Sequence, residues 1–73
     1  MSNLDMKQVS SSNVDSLGYD EQNKIAYVRF LNGSLYIYKD VPQHEFDALF
    51  NAPSIGSYLH RNFKNVYPYE RIE

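Results

Sequence analysis

The sequence contains no cysteine, only two histidines and only three glycines, which are widely separated. Without cysteine the chain can form no disulfide, offers no thiolate to a metal and has no thiol nucleophile. His44 and His60 are too few and too distant in sequence to indicate a zinc site, and the dispersed glycines exclude a glycine-rich phosphate loop. The serines have no histidine and acid at an informative spacing. We therefore expect no metal, no cofactor and no enzyme.

Long apolar segments are also absent. No run approaches the roughly 20 residues of a membrane span, and Asp5 and Lys7 interrupt any stretch that resembles a signal peptide. A cytoplasmic location is the expectation. The formal net charge of −2 and the pI of about 5.6 argue against a strongly basic nucleic-acid-binding domain, although a local basic patch remains open.

Tyrosine, by contrast, is abundant, with seven copies in 73 residues. A chain of this length forms one domain and buries only about 60% of its unfolded surface, so its stability is marginal. Tyrosine combines a large contact area with a polar tip, which suits both a small core and a binding surface.

The strongest structural signal is the pair Asn32-Gly33, which lies between two runs rich in β-branched and aromatic residues. Asn-Gly favours a tight turn because both residues accept positive φ at little steric cost. The pattern therefore predicts a hairpin with strands Ile25–Leu31 and Leu35–Lys39.

Two registers of this hairpin are open. A two-residue type I′ turn pairs Val28 with Ile37, whereas a three-residue loop at 31–33, with Gly33 in the left-handed conformation, pairs Val28 with Tyr36. A slip of one residue turns a whole strand over. The residues that share the face of Val28 are therefore Leu35 and Ile37 in the first register, and Tyr36 and Tyr38 in the second. Segregation of apolar side chains favours the first register.

A further strand is predicted before the hairpin and two helices after it. Val14–Tyr19 is typical of a first meander strand, with Gly18 as a bulge. Asp40 is the predicted N-cap of the first helix, followed by an early proline and Gln43. Pro53 ends that helix, and Ser54 caps the second.

The fold prediction is α+β, with a three-stranded antiparallel meander sheet and two C-terminal helices packed on one face. Apolar residues recur at helical spacing in both helical segments, which predicts that each buries one stripe against the sheet. The predicted core is Leu17, Val28, Phe30, Phe46, Leu49, Phe50, Ile55, Leu59 and Phe63.

The polar cluster at 10–13 has two interpretations. Three serines and Asn13 in succession are typical of a solvated turn. The alternative, which we favour less, is a polar lip that contacts a phosphate or ribose.

Short motifs follow one another along nearly the whole chain. They are Ser10-Ser11-Ser12-Asn13, Leu17-Gly18-Tyr19-Asp20, Phe30-Leu31-Asn32-Gly33, Tyr36-Ile37-Tyr38, Asp40-Val41-Pro42, Ala52-Pro53-Ser54-Ile55-Gly56-Ser57-Tyr58 and Tyr67-Pro68-Tyr69. In order and spacing they resemble the KTSC domain, a short module at the C-terminus of some lysyl-tRNA synthetases that also occurs as a small stand-alone protein in bacteria and phages. The resemblance covers residues 6–72, which we expect to form a single KTSC-like domain.

The resemblance implies a non-catalytic domain for which RNA binding has been suggested from the synthetase context. The family's central Tyr-x-Tyr corresponds to Tyr36 and Tyr38. Its middle residue is usually polar, which implies that the tyrosines face inward and favours the second hairpin register, although this chain has Ile37 there. The family also often carries a basic residue where this chain has Ile55.

One group of residues in the C-terminal third predicts a binding surface. Cations position phosphates and tyrosine faces stack on bases, and His60, Arg61 and Lys64 occupy neighbouring helical positions. The candidate binding residues are Tyr58, His60, Arg61, Lys64, Tyr67, Tyr69 and Arg71. The competing interpretation, which we favour slightly, is an ordinary solvated helix face beside core tyrosines.

We therefore expect a non-catalytic binding module whose partner is RNA or a nucleotide-type ligand. The second hypothesis is a protein-interaction or self-association module with no nucleic-acid role. An acidic, tyrosine-rich small domain would enlarge a marginal core by forming a homo-oligomer. We expect no membrane partner.

Overall fold

The computed structural model of the chain describes residues 5–73, which form one antiparallel sheet and two helices. The α+β class is confirmed, with both helices following the three central strands in sequence. The five strands lie in the order β1-β2-β3-β4-β5. The elements are β1 (Lys7–Gln8), β2 (Val14–Asp20), β3 (Ile25–Phe30), β4 (Leu35–Tyr38), α1 (Gln43–Phe50), α2 (Ile55–Asn62) and β5 (Tyr69–Arg71).

The sheet has two more strands than the three predicted, one at each edge. β1 has two residues and β5 has three, and all five are exposed. They therefore carry none of the alternating burial that would mark a strand in the sequence. β5 matters for the site, because it brings the C-terminal segment back against β4 and pairs Tyr69 with Tyr38.

The hairpin adopts the second of the two registers. Val28 pairs with Tyr36 and Ala26 pairs with Tyr38, so both tyrosines share the face of Val28. Of the two loop residues that a type I′ turn requires at positive φ, only Gly33 adopts it, at 94°. The Asn32 side-chain oxygen accepts bonds from the backbone N–H and the hydroxyl of Ser34, at 3.0 and 2.6 Å. This geometry belongs to the three-residue loop that the apolar pattern disfavoured.

The predicted start of the first helix is wrong. Asp40 has φ of 60°, and the chain stays extended through Pro42, so α1 begins at Gln43 without a side-chain cap. The physical reason is the anchoring of Val41, which is fully buried and donates its backbone N–H to Lys24 O at 2.9 Å. The second helix begins as predicted, with the Ser54 hydroxyl accepting the N–H of Ser57.

The core lies between the sheet and the two helices. Phe50 was predicted to be buried, but 36% of it is exposed, and Phe46 is only half-buried because it covers the edge of the core beside Tyr19. Phe30 is also half-buried. The sequence prediction missed five buried apolar residues, which are Val14, Ala26, Leu35, Tyr38 and Val41.

The bulge predicted at Gly18 is also misplaced. Gly18 pairs regularly with Tyr27, and the register shift falls between Val14 and Ser16. This shift keeps Val14 opposite Phe30 and lets the chain at Asn13 approach the hairpin loop, where Leu31 N–H donates to Asn13 O at 2.8 Å.

Candidate functional site

An open cleft of about 380 Å³ lies between α2 and the hairpin end of the sheet. Its floor is aromatic, and its rim is polar or cationic. The lining residues are Asn13, Phe30, Asn32, Ser34, Tyr36, Tyr38, Gly56, Leu59, His60, Lys64 and Tyr69. We call this space the α2 cleft.

The aromatic wall of the α2 cleft consists of Phe30, Tyr36, Tyr38 and Tyr69. The register of the hairpin places the first three on the helix-covered face, and the pairing of β5 with β4 adds Tyr69. The Tyr69 ring centroid lies 5.7 Å from that of Tyr38 and 6.1 Å from that of Tyr36. Tyr69 is 51% exposed, so its ring offers a free surface on which a planar group can stack.

Helix α2 supplies the opposite side of the cleft. Gly56 and His60 are four residues apart and therefore follow one line along the helix. Lys64 lies two residues beyond the end of α2, where its backbone N–H donates to Leu59 O at 2.9 Å in the i→i−5 bond typical of a helix C-terminus, and it lines the cleft from there. Burial of Ile55, Leu59 and Phe63 on the other stripe of the helix holds this line against the sheet.

The polar end of the cleft lies where the hairpin loop meets the start of β2. Asn32 and Ser34 bond to each other there, as described above. The backbone of Asn13 is held on both sides, because its N–H donates to Ser11 Oγ at 3.2 Å and its carbonyl accepts from Leu31. A methyl group on Gly56 would lie 3.4 Å from Asn13 Nδ2, so the missing side chain at Gly56 keeps this end open.

The charge of the α2 cleft is opposite to that of the whole chain. The chain has nine Asp and Glu against seven Lys and Arg, yet no carboxylate lines this cleft. Among residues 5–73, neither Lys64 nor His60 forms an ion pair. The two ion pairs in this part of the chain are Arg29–Glu73 and Lys39–Glu70. The α2 cleft is therefore suited to an anionic ligand.

A second cleft, of about 300 Å³, lies between α1 and β2 and has the opposite character. Asp5, Glu21 and Asp47 contribute carboxylates to it. The described residues contain no group of three or more His, Asp or Glu arranged to hold a metal. Among residues 5–73, no helix has the length and apolar character needed to span a membrane.

The structure brings three of the seven predicted binding residues into the α2 cleft, namely His60, Lys64 and Tyr69. Tyr58 and Tyr67 instead pack against the core ring of Phe63, at centroid distances of 6.2 and 5.1 Å. Burial raises the pKa of both tyrosines, and the nearby charge of Glu45 raises it further. The Tyr58 hydroxyl donates to Glu45 Oε1 at 3.3 Å, so Tyr58 already has a hydrogen-bond partner within the fold.

The two predicted arginines lie outside the α2 cleft. Arg61 is exposed on α2 and follows His60 directly, which turns it away from the helix line that faces the cleft. Arg71 shares the face of Tyr36 on β5, but its Nε donates to the backbone oxygen of Glu73 at 2.9 Å.

Sequence reasoning missed part of the site for two reasons. The facing of Tyr36 and Tyr38 depended on the hairpin register, for which apolar segregation favoured the first pairing and the family resemblance favoured the second, observed one. The polar end depends on contacts between distant segments, since Asn13 and Gly56 are 43 positions apart and meet only in the folded chain. The one indication in the sequence was the polar cluster at 10–13, which includes Asn13. Its alternative interpretation was a polar lip that contacts a ligand.

An antiparallel meander with two helices on one face and an aromatic, cationic cleft beside the second helix defines a small α+β domain. The KTSC domain family matches residues 10–67, which is most of the chain, and the protein belongs to this family. A crystal structure of a KTSC domain protein from Yersinia pestis is similar, with a TM-score of 0.89 and 28% identity, over 97% of this chain and all of that one.

Relatives occur both as small proteins and within larger ones. An uncharacterised protein of Stutzerimonas stutzeri is 42% identical over 71 residues, covering 93% of this chain and all of that protein. A lysine–tRNA ligase of Trichormus variabilis is 35% identical over 54 residues, which are 74% of this chain but only 10% of the ligase.

Proposed function

We propose that this protein is a non-catalytic binding module whose α2 cleft takes RNA or a free nucleotide. The shared chemistry is a planar base beside a phosphate. The observation that carries the proposal is the exposed ring of Tyr69 in a cleft that also contains Lys64 and His60 but no carboxylate. Stacking on an aromatic ring and pairing with a cation are the two main interactions by which proteins hold single-stranded nucleic acid.

The activity of the ligase relatives gives independent support. A stretch similar to 74% of this chain occurs in proteins that join lysine to tRNA. A domain carried by a tRNA-dependent enzyme has a nucleic acid within reach. A free nucleotide is the other source of the same chemistry.

Lys64→Ala is expected to weaken binding by about tenfold or more at low salt, because hydrogen bonds to charged groups contribute about 1.5–3 kcal/mol. Removal of one phosphate contact on a single strand should also flatten the log–log salt slope by roughly 0.7. The measurement is fluorescence anisotropy of a labelled single-stranded RNA and of a labelled nucleotide at several salt concentrations.

Arg61→Ala is the matched control for Lys64→Ala, because it removes one positive charge from the same region but from outside the cleft. We expect it to change the nucleotide Kd less than about twofold, since exposed charges act weakly at a distance in salt. An equal loss in both variants would indicate a general charge effect. An absence of salt-sensitive binding by the wild type would contradict the proposed function.

Tyr69→Ala is expected to weaken binding by about 1–3 kcal/mol, which is the usual contribution of one base stacked on an aromatic side chain. Tyr69→Phe retains the ring and loses only the hydroxyl, so it should bind nearly as well as wild type. The same anisotropy titration measures both. Equal losses in the two variants would show that the hydroxyl, rather than the stacking face, makes the contact.

A second candidate function is an interaction module for protein or for a second copy of this chain. The observation that favours it is a set of exposed apolar residues around the free edge of β5, with Val66 60% and Ile72 45% exposed. Exposed strand edges pair readily with another chain. Size-exclusion chromatography with light scattering distinguishes this function, because a concentration-dependent dimer without nucleotide binding would favour it over the first.

A further inference from the structure

We infer that the α2 cleft holds one unpaired nucleotide in a single orientation. The Asn13 amide hydrogen-bonds to the edge of the base, and this contact makes adenine the preferred base. Lys64 binds the phosphate. This inference rests on the proposed function and names the ligand class of the same site. It follows from the polarity of the cleft, from its size and from the open hydrogen-bonding capacity of Asn13.

The polarity follows from the line of residues along α2. The helix rises about 1.5 Å per residue, so Gly56 and His60 are separated by about 6 Å along its axis, and Lys64 lies further on, beyond the last helical residue. Gly56 contacts the amide end at Asn13. Lys64 marks the opposite, cationic end of the same cleft, and Tyr69 lines the cleft on the side of the sheet. An anionic ligand with one polar planar end therefore fits in one direction only.

The size of the cleft limits the occupant to one nucleotide. A volume of about 380 Å³ lies near the lower end of the range of small-molecule sites. Within the aromatic wall, Tyr38 is buried and Phe30 and Tyr36 are half-buried, packed edge to face at 5.4 Å. Tyr69 is thus the one ring of the wall with an exposed fraction large enough to stack a base. A base within a duplex would first have to be flipped out, which costs a few kcal/mol.

The Asn13 amide supplies the specific contact. Its backbone is fixed by Ser11 and Leu31, while its side chain makes no hydrogen bond within residues 5–73. An open amide carries one acceptor and two donors, and this pattern matches the N6 and N7 atoms of adenine in a bidentate pair. The carbonyl oxygen of the neighbouring amide, Asn32, is already engaged by Ser34, which leaves Asn13 as the reading group.

The experiment measures competition by unlabelled AMP, CMP, GMP and UMP against one labelled trinucleotide, using wild type, Asn13→Ala and Asn13→Asp. The wild type should bind AMP about tenfold or more tightly than CMP or UMP, because one bidentate pair discriminates by about 1–3 kcal/mol. Asn13→Ala should reduce this preference to within about twofold and leave the salt slope unchanged. Asn13→Asp retains the shape but loses the donor to N7, so the preference should also disappear.

Asn65→Ala is the control, since Asn65 is exposed and does not line the cleft; it should retain the full preference. Equal binding of the four nucleotides by the wild type would overturn this inference and leave the proposed function standing. Retention of the preference in Asn13→Ala would overturn it as well. Equally tight competition by a duplex RNA would contradict the single unpaired nucleotide. A wild type that binds none of these ligands would overturn the proposed function itself.

Discussion

Phe63→Ala is expected to unfold most of the protein under native conditions. Phe63 is fully buried at the end of α2. Its ring centroid lies 5.5 Å from that of Tyr38 on β4 and 5.1 Å from that of Tyr67 in the C-terminal segment. Truncating a buried phenylalanine costs about 3–5 kcal/mol. The whole domain has only about 5 kcal/mol available at this size. Urea denaturation followed by circular dichroism measures the loss.

Phe50→Ala is the matched control, because the same atoms are removed from a ring that is 36% exposed on α1. It leaves a surface depression that water fills, so we expect a cost well below that of Phe63→Ala. Similar losses in the two variants, or a cooperatively folded Phe63→Ala protein of wild-type stability, would contradict the position of the core between α2 and the sheet.

Gly56→Leu is expected to abolish ligand binding without destabilising the fold. The new side chain would extend into the α2 cleft, where its first carbon meets Asn13 at an ordinary contact distance of 3.4 Å. The remaining atoms occupy the space that the base needs. Leucine has a higher helix propensity than glycine by up to about 1 kcal/mol, so the free energy of unfolding should stay level or rise. Anisotropy titration and urea denaturation of the same preparation separate the two effects.

Asn62→Leu tests whether a new leucine on α2 is harmful by itself. Asn62 is exposed on the same helix and does not line the cleft. This variant should bind RNA and nucleotides like wild type. A Gly56→Leu protein that is folded and binds with unchanged affinity would show that the ligand lies elsewhere. The exposed edge of β5 would then be the next candidate for the binding surface.

The candidate site was only partly predictable from the sequence, and the cause is the separation of its parts along the chain. His60 and Lys64 were identified because both lie on one predicted helix, where spacing alone defines neighbours. Tyr69 was included because of its residue type. Arg61 was grouped with them by the same spacing, although the structure turns it away from the cleft. Asn13 belongs to a different segment, and no periodicity connects it to α2.

The fold class could be derived from local patterns. The Asn32-Gly33 turn, the apolar stripes of both helices and the cap at Ser54 each depend on residues within a few positions of one another. Such signals survive in a sequence because backbone conformation responds to immediate neighbours. Two local rules were overridden by long-range contacts. Asp40 does not cap α1, because the buried Val41 is held by a backbone hydrogen bond to Lys24. Phe50 is partly exposed, because α1 packs on the core through Leu49.

The sequence alone therefore determined that the chain forms a single α+β domain with a hairpin at Asn32-Gly33 and two C-terminal helices. The tertiary structure decided which face of the hairpin turns inward. The sequence offered two apolar residues on one face of β4 and two tyrosines on the other. The tyrosines face inward, because Tyr38 packs on Phe63, and Tyr69 reaches it through β5. These three rings come from segments that local rules cannot bring together, and two of them, Tyr38 and Tyr69, line the α2 cleft.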